Sequence, residues 1–324
     1  MKTLCSILAA LLLGPTMSPD GLLLMFWNLE NFFDCRDGGG GDSDREFTPA
    51  GDRHWTRRRF DSKCNAVAKT ILWMEGSQGA LPDVVGVAEV ENSLVLRRLV
   101  EDTALRKLDY RWVHFESPDP RGIDVALLYR GTRLRLVDSR PCRVGASVDG
   151  RQSFRTRDIL AATFVTGGGD SLCVLVNHHP SKYGGSESSA RRIAALQRLR
   201  EVSDSLSAEG WGRQVAMGDF NDTPDNPAFS SLMPSLHFCP GVLDSRQGSI
   251  RFNGLWQLID LAFVTPPLLD NATFCVCPVP FLTTGDSAHS GLKPLRTYVG
   301  PRYAGGVSDH YPIIVKCRVS CVQH

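Results

Sequence analysis

Asp219 and Asn221 stand two residues apart where an apolar run turns polar. Gly212-Arg213-Gln214-Val215-Ala216 leads in, Met217-Gly218 closes the run, and Asp222-Thr223-Pro224-Asp225-Asn226-Pro227 follows. This is the pattern of a buried strand entering a turn. Residues two apart on an extended chain point the same way. An acid and a hydrogen-bond donor can therefore face one ligand from the mouth of a sheet. Turns favour Asp and Asn in their own right, so the pair takes its weight from its company. Other apolar runs end in polar, chemically able residues: Asn28 and Glu30, Glu89, His178, and Ser308-Asp309-His310. Clefts at strand ends are where sheet proteins bind ligands.

The set holds carboxylates (Glu30, Glu89, Asp219, Asp260, Asp309), amides (Asn28, Asn221) and imidazoles (His178, His310). Hard oxygen donors suit Mg²⁺, Mn²⁺ or Ca²⁺ better than zinc. No His-x-x-x-His or Cys-x-x-Cys argues for zinc, and no Gly-x-Ser-x-Gly argues for a serine hydrolase. No Walker loop or Gly-x-Gly-x-x-Gly sits between a strand and a helix. What remains is metal-assisted hydrolysis, in which a cation neutralises charge on a phosphoryl oxygen and a carboxylate takes a proton from water. Two positions have rivals. Glu91 lies two residues past Glu89 and faces the same way on an extended strand, and His179 adjoins His178.

Those residues need elements to hold them. Residues 22–26 read as a first strand, followed by a polar, glycine-rich loop (34–52) of exposed, mobile composition. The charged stretch 42–59 reads as solvated. Phe60, Cys64, Val67, Ala68, Ile71 and Leu72 recur at helical spacing, and a second helix covers 94–108. Strands are expected at 84–88, 123–129, 134–137, 159–165, 172–176, 258–264 and 313–315. Ile193, Leu196, Leu199 and Val202 mark a helix after Gly184-Gly185. Arg191 and Arg192 lie early in that helix, on an exposed face, within possible reach of a substrate phosphate. Trp256 and Tyr183 read as packing residues.

The chain has 324 residues, 42% hydrophobic and 22% charged, which is ordinary for one globular domain. A net charge of +1 excludes a whole-chain basic field, though not a local patch. Lys2, the apolar run 4–14, Pro15 and small polar residues form a secretory signal pattern. The expected organisation is a signal peptide over 1–19 and a single domain over 20–324, exported to a periplasm or secreted, with no transmembrane anchor. A buried first strand or helix is the alternative for the apolar start. Ten cysteines are compatible with disulfides in an exported chain, Cys317 and Cys321 among them, and Cys275 and Cys277 share one strand face.

At this point the chain resembles the endonuclease/exonuclease/phosphatase superfamily, which includes deoxyribonuclease I. The resemblance runs from about Phe26 to about Val315. Gly218-Asp219-Phe220-Asn221 and Ser308-Asp309-His310 are its most specific pieces. Trp27-Asn28-Leu29-Glu30-Asn31-Phe32-Phe33-Asp34, Gly122-Ile123-Asp124-Val125-Ala126-Leu127-Leu128-Tyr129-Arg130 and Asn177-His178-His179-Pro180-Ser181-Lys182 resemble its bacterial exported branch. The resemblance implies an α+β fold, a four-layer α/β/β/α sandwich of two mixed sheets with outer helices. It implies Glu89 as the main metal ligand, in preference to Glu91, with Asn28, Glu30 and Asp309 close to the metal. It implies Asp219 as the base for water, Asn221 and His178 (in preference to His179) on the phosphate oxygens, and His310, steadied by Asp260, on the charge of the pentacovalent phosphorus.

The expected function is a Mg²⁺-dependent (or Mn²⁺-dependent) phosphoester hydrolase, foremost a nuclease-type phosphodiesterase acting on nucleic acid. A phosphomonoesterase or a lipid or inositol-phosphate phosphatase on the same scaffold is the alternative. An inactive binding module is a third reading, but it would be free to lose several members of the set. No protein partner is implied.

Overall fold

Along the first strand, β1 (Gly21–Phe32), side chains alternate between two apolar environments. Leu22, Leu24 and Phe26 enter one core, while Leu23, Met25, Trp27 and Leu29 enter another. A strand apolar on both faces must be covered on both, and this alternation determines the layers. A computed structural model describes residues 21–39, 41, 43–145, 154–182, 185–241 and 248–319. The expected signal peptide, Tyr183, Gly184 and Cys321 lie outside the described residues.

In chain order the further strands are β2 (Val84–Val90), β3 (Tyr110–His114), β4 (Asp124–Arg130), β5 (Leu134–Cys142), β6 (Ile159–Thr166), β7 (Ser171–His178), β8 (Gln214–Asp219) and β9 (His237–Phe238). Then come β10 (Ile250–Phe252), β11 (Leu255–Gln257), β12 (Asp260–Val264), β13 (Ala272–Val276), β14 (Thr283–Gly285), β15 (Leu292–Pro294), β16 (Tyr298–Val299), β17 (Arg302–Tyr303) and β18 (Ile313–Arg318). The helices are α1 (Arg57–Gln78), α2 (Ser93–Glu101) and α3 (Gly185–Ala208). One six-stranded sheet has the order β13-β18-β1-β2-β4-β3 and the other β5-β6-β7-β8-β12-β9; the remaining strands form two-stranded ribbons. Each large sheet is mixed: β1–β2 and β7–β8 run parallel, the other pairs antiparallel.

The sheets pack face to face through Phe26, Val84, Leu127, Val174, Val176, Met217, Ala262 and Ile313. Gly86 lies in this seam, where an added Cβ would come within 3.1 Å of Met217 Cε and 3.2 Å of Val176 Cγ2, so a larger residue would make these side chains shift. On the outer face of the first sheet, α1 and α2 bury Phe60, Val67, Ile71, Leu96 and Leu99. On the outer face of the second, α3 buries Leu196, Leu199, Val202 and Leu206 against Ala161, Leu175 and Phe263. The chain is thus the four-layer α/β/β/α sandwich that the resemblance implied. Fully burying each such side chain contributes roughly 1.5–3 kcal/mol. Among the described residues no helix is long and apolar enough to cross a membrane.

Several local expectations need correction. The stretch 94–108 is not one helix: α2 stops at Glu101 and a 3-10 turn covers Ala104–Lys107. Thr103 breaks it, extended at φ −112, with its hydroxyl donating to Leu99 O at 2.6 Å and accepting from Leu105 N at 3.2 Å. The charged stretch 42–59 is not simply solvated, because Phe47 and Trp55 are buried and Trp55 Nε1 donates to Phe33 O at 2.9 Å. Its last residues, from Arg57, begin α1, capped by the Thr56 hydroxyl. The eight described cysteines are free. Finally, Ser308-Asp309-His310 does not end an apolar run but precedes the start of β18, and Asp260 opens β12. They still join the same edge, because β12 and β18 run antiparallel to β8 and β1.

Candidate active site

The site lies where β1, β2, β7 and β8 end and where β4, β6, β12 and β18 begin. Two bonds tie the segment before β18 to the end of β1: Trp27 Nε1 donates to His310 O (2.9 Å) and Ser308 Oγ to Asn28 O (2.6 Å). Four non-glycine residues at this edge have left-handed backbones: Glu30 (φ 46), Asn31 (φ 51), Glu89 (φ 62) and Asn221 (φ 51). That conformation costs such residues on the order of 1–2 kcal/mol, and strain of this kind gathers at functional sites. Here it accompanies the register shifts near the ends of β1 and β2 and the turn after β8.

Asp219 is the centre. It is 1% exposed, and its Oδ2 accepts from Asn28 Nδ2 at 3.1 Å. The same oxygen is 3.7 Å from His178 Nε2 and 3.8 Å from His310 Nε2. Its Oδ1 accepts from the backbone N–H of Asn221 at 2.9 Å. His178 Nε2 is 3.9 Å from Glu89 Oε1, and His310 Nε2 is 3.9 Å from Asp309 Oδ1. His310 Nδ1 meets Asp260 Oδ2 at 2.7 Å.

The two imidazoles are driven in opposite directions. Burial opposes charge on His310, but Asp260 at hydrogen-bond distance and Asp219 outweigh it and hold the ring well above the ordinary histidine range. His178 is pushed well below that range by burial, with Arg157 and Arg121 adding repulsion. One ring is therefore a cation and the other neutral at the same pH. Burial and the neighbouring Asp260 raise Asp219 to about 7, against the pull of His310. Glu89 stays ionised below the usual carboxylate range: burial works against it, but Arg121, Arg157 and the Asn31 N–H prevail.

The structure separates the rival residues. A register shift between Ala88 and Val90 breaks the two-residue periodicity, so Glu89 and Glu91 do not share a face. Glu89 Oε2 accepts from Asn31 N at 2.8 Å and lies 3.4 Å from Arg121. Glu91 Oε2 instead accepts from Asp34 N at 2.6 Å, and burial pushes its carboxyl up to about 8. His179 is 2% exposed, packs on Phe220 at 4.6 Å between ring centroids, and is driven to about 3 by burial and then Arg192. Asn221 does not point alongside Asp219 as an extended chain would have it. Its left-handed backbone lets its Nδ2 donate to His179 O at 3.0 Å. Glu30 engages Arg296 (2.8 Å to Nη2) and the Thr297 N–H (2.9 Å), and the same Arg296 Nη2 pairs with Asp309 at 3.1 Å. Trp256 stacks on Tyr311 at 5.6 Å.

Asn28, Glu89, His178, Asp219, Asp260, Asp309 and His310 are therefore brought together, with Asn221 and Glu30 beside them. Sequence reasoning missed Arg121, Arg157 and Arg296. The first two precede β4 and β6, and a reading of strand starts as well as strand ends would have reached them. Arg296 lies between β15 and β16, where no strand pattern flags it.

Ligand-type atoms of Asp219, Asp260 and His310 lie within 4.8 Å of one another, as do those of His114, Glu116 and Asp124. In the second group the Asp124 oxygens already serve Ser117 and His114. At the first, Glu89 Oε1 and Asp309 Oδ1 add hard oxygen donors around crowded, buried carboxylates, a donor set that fits a divalent cation of the Mg²⁺ or Mn²⁺ type.

Residues 23–319 match the family model described as Endonuclease/Exonuclease/phosphatase family. No curated protein sequence matches the chain. Among solved structures, an endonuclease/exonuclease/phosphatase family protein from Bacteroides thetaiotaomicron is 15% identical, with TM-score 0.60, covering 93% of this chain and 98% of that one. A mannosyl-6-phosphatase from the same organism is 16% identical (TM-score 0.57, 91% and 98% covered). The catalytic domain of human Nocturnin is 17% identical (TM-score 0.53, 92% and 94% covered).

Proposed function

The chain belongs to the endonuclease/exonuclease/phosphatase family, whose members are metal-dependent phosphoester hydrolases, and from that premise we propose a Mg²⁺-dependent phosphodiesterase of nuclease type. The observation that carries the proposal is the buried Asp219 carboxylate between two imidazoles of opposite protonation. Glu89, Asp309 and Asn28 would hold the cation, with Glu30 behind them on Arg296. When bound, the cation supplies neutralisation of the charge developing on a phosphoryl oxygen. Asp219 takes the proton from the attacking water, and its elevated affinity for protons makes it a better base than an exposed aspartate. His310, kept charged by Asp260, faces the negative phosphoryl group. Neutral His178 and Asn221 bind its oxygens without adding a second full charge.

A second reading, a phosphomonoesterase, is favoured by Arg121 and Arg157 at the cleft edge, which suit a dianionic terminal phosphate. The mannosyl-6-phosphatase among the structural neighbours is in keeping with it. A panel with Mg²⁺ and with EDTA separates the two: plasmid DNA, RNA, bis-p-nitrophenyl phosphate, inositol phosphates, mannose 6-phosphate and sphingomyelin. Cleavage of the diesters supports the first reading. Release of phosphate from monoesters alone replaces it with the second. Export is part of the proposal and rests on the apolar start at 4–14. Mass spectrometry of the mature protein from its native host should find Met1 removed.

A further inference from the structure

Beside His178 the site edge opens into a separate cavity of about 270 Å³. Four arginines line it: Arg121 from the segment between β3 and β4, Arg155 and Arg157 from the segment entering β6, and Arg191 from α3. Two carboxylates, Asp119 and Glu187, share the wall. Arg157 is 7% exposed, with its Nε 3.3 Å from Asp119 Oδ2 and an Nη 3.5 Å from His178 Nε2. Arg121 reaches Asn31 Oδ1 at 2.6 Å and Glu89 Oε2 at 3.4 Å. These two guanidinium groups therefore form the partition, with one side on the catalytic edge and the other in the cavity.

The charges do not cancel. Glu187 pairs with Arg191 one turn along α3, and Asp119 with Arg157. Arg155 Nε donates to the Pro118 carbonyl at 2.9 Å, and among the described residues no carboxylate is in salt-bridge range of it. Arg121 meets Glu89, which already serves the catalytic edge. Four guanidinium groups thus share three carboxylates, with Arg155 left over, beside the positive end of a 24-residue helix, in a chain whose net charge is only +1. Such a cluster of guanidinium groups attracts an anion, and guanidinium forks match phosphate oxygens in geometry.

We propose that this cavity is a subsite for a second phosphate, carried by the same substrate molecule on the His178 side of the scissile phosphoester. The assignment of the scissile position rests on the proposed phosphoesterase reading; the affinity for the second phosphate does not. The substrate class is then a bis-phosphorylated molecule. Either the next phosphate of a nucleotide strand or the second phosphate of a phosphorylated polyol supplies the chemistry.

Calorimetry in Mg²⁺ tests this with slowly hydrolysed phosphorothioates: thymidine 3′,5′-bisphosphorothioate and its two monophosphorothioates, and inositol 1,4-bisphosphorothioate and its two monophosphorothioates. The expected result is binding of at least one bis-form about 10–100-fold tighter than either of its mono-forms, as hydrogen bonds to charged groups allow. The scaffold that shows the gain identifies the source of the phosphate. The gain should vanish in Arg155→Gln/Arg191→Gln, whose melting temperature serves as the folding control. Equal affinity of mono- and bis-forms for the unaltered protein, on both scaffolds, overturns the subsite. So does a gain that survives the double substitution in folded protein. Loss of all turnover on the phosphoester panel, with the affinity gain intact, overturns the proposed reaction and leaves the subsite standing.

Discussion

His310 and His178 lie on either side of one aspartate oxygen, and their opposite protonation depends on what stands behind each ring. Asp260 is behind His310 at 2.7 Å, and Arg157 is beside His178 at 3.5 Å. If Asp260 acts through His310, His310→Ala and Asp260→Ala should each lower turnover strongly. The double variant should then fall far short of the product of the two losses. Fully multiplicative losses would show Asp260 working independently. Glu89 and Glu91 give a second contrast. Glu89 is an ionised acceptor at the cleft, whereas Glu91, pushed up to about 8, holds the chain after β1 through the Asp34 N–H. Glu91→Gln replaces a carboxyl that is neutral at pH 7 with a neutral amide and should leave activity within a few-fold of normal. Glu89→Gln should weaken both rate and Mg²⁺ dependence. A Mg²⁺ titration of the two variants decides, and a greater loss for Glu91→Gln contradicts the assignment.

The elements were legible in the sequence where burial on two faces writes an uninterrupted apolar run, as in β2, β7 and β8. They were less legible where one residue breaks a period. Thr103 ends α2 through its own hydroxyl, and the bulge at Glu89 reverses the face on which Glu91 falls. Neither event changes composition, so neither is visible without the fold. The candidate site was legible where an apolar run ends in an acid, as at Glu89 and Asp219, and where a short polar motif stands out by itself, as at Ser308-Asp309-His310 before β18. The arginines at strand starts were not, since a charged residue before a strand reads as a solvated turn. His179, at the β7 terminus, carries an element-scale consequence. Both its ring nitrogens lack hydrogen-bond partners among the described residues, and its folded pKa is about 3 against an ordinary 6.5. The unfolded chain therefore binds the proton more readily between these values. The stability contribution is whole above pH 6.5 and is lost as pH falls toward 3. Thermal melts should show the wild type losing a few kcal/mol more than His179→Phe across that window, on the scale of about 1.4 kcal/mol per pKa unit. Parallel stability curves would show that His179 takes up its proton in the folded state.

At the scale of the molecule, two sheets meet along a seam that is tight at Gly86, and their strand termini bring one edge together from segments up to 283 residues apart in sequence. The outer helices keep both sheets buried and leave that edge as the place where acids, amides and imidazoles can gather. The surrounding fold is what raises Asp219: in water it would be an ordinary aspartate, and here it is 1% exposed with a proton affinity near neutrality. We propose Asp219 as the base of a metal-dependent phosphodiester hydrolysis. The most direct measurement is turnover of bis-p-nitrophenyl phosphate by EDTA-stripped protein, before and after restoring Mg²⁺, for the unaltered chain and for Asp219→Asn. The account predicts no turnover without metal, recovery with Mg²⁺, and a loss of roughly 10²–10⁴ in Asp219→Asn at nearly unchanged melting temperature. Turnover that persists in EDTA, or an Asp219→Asn variant with near-normal rate in Mg²⁺, would contradict it.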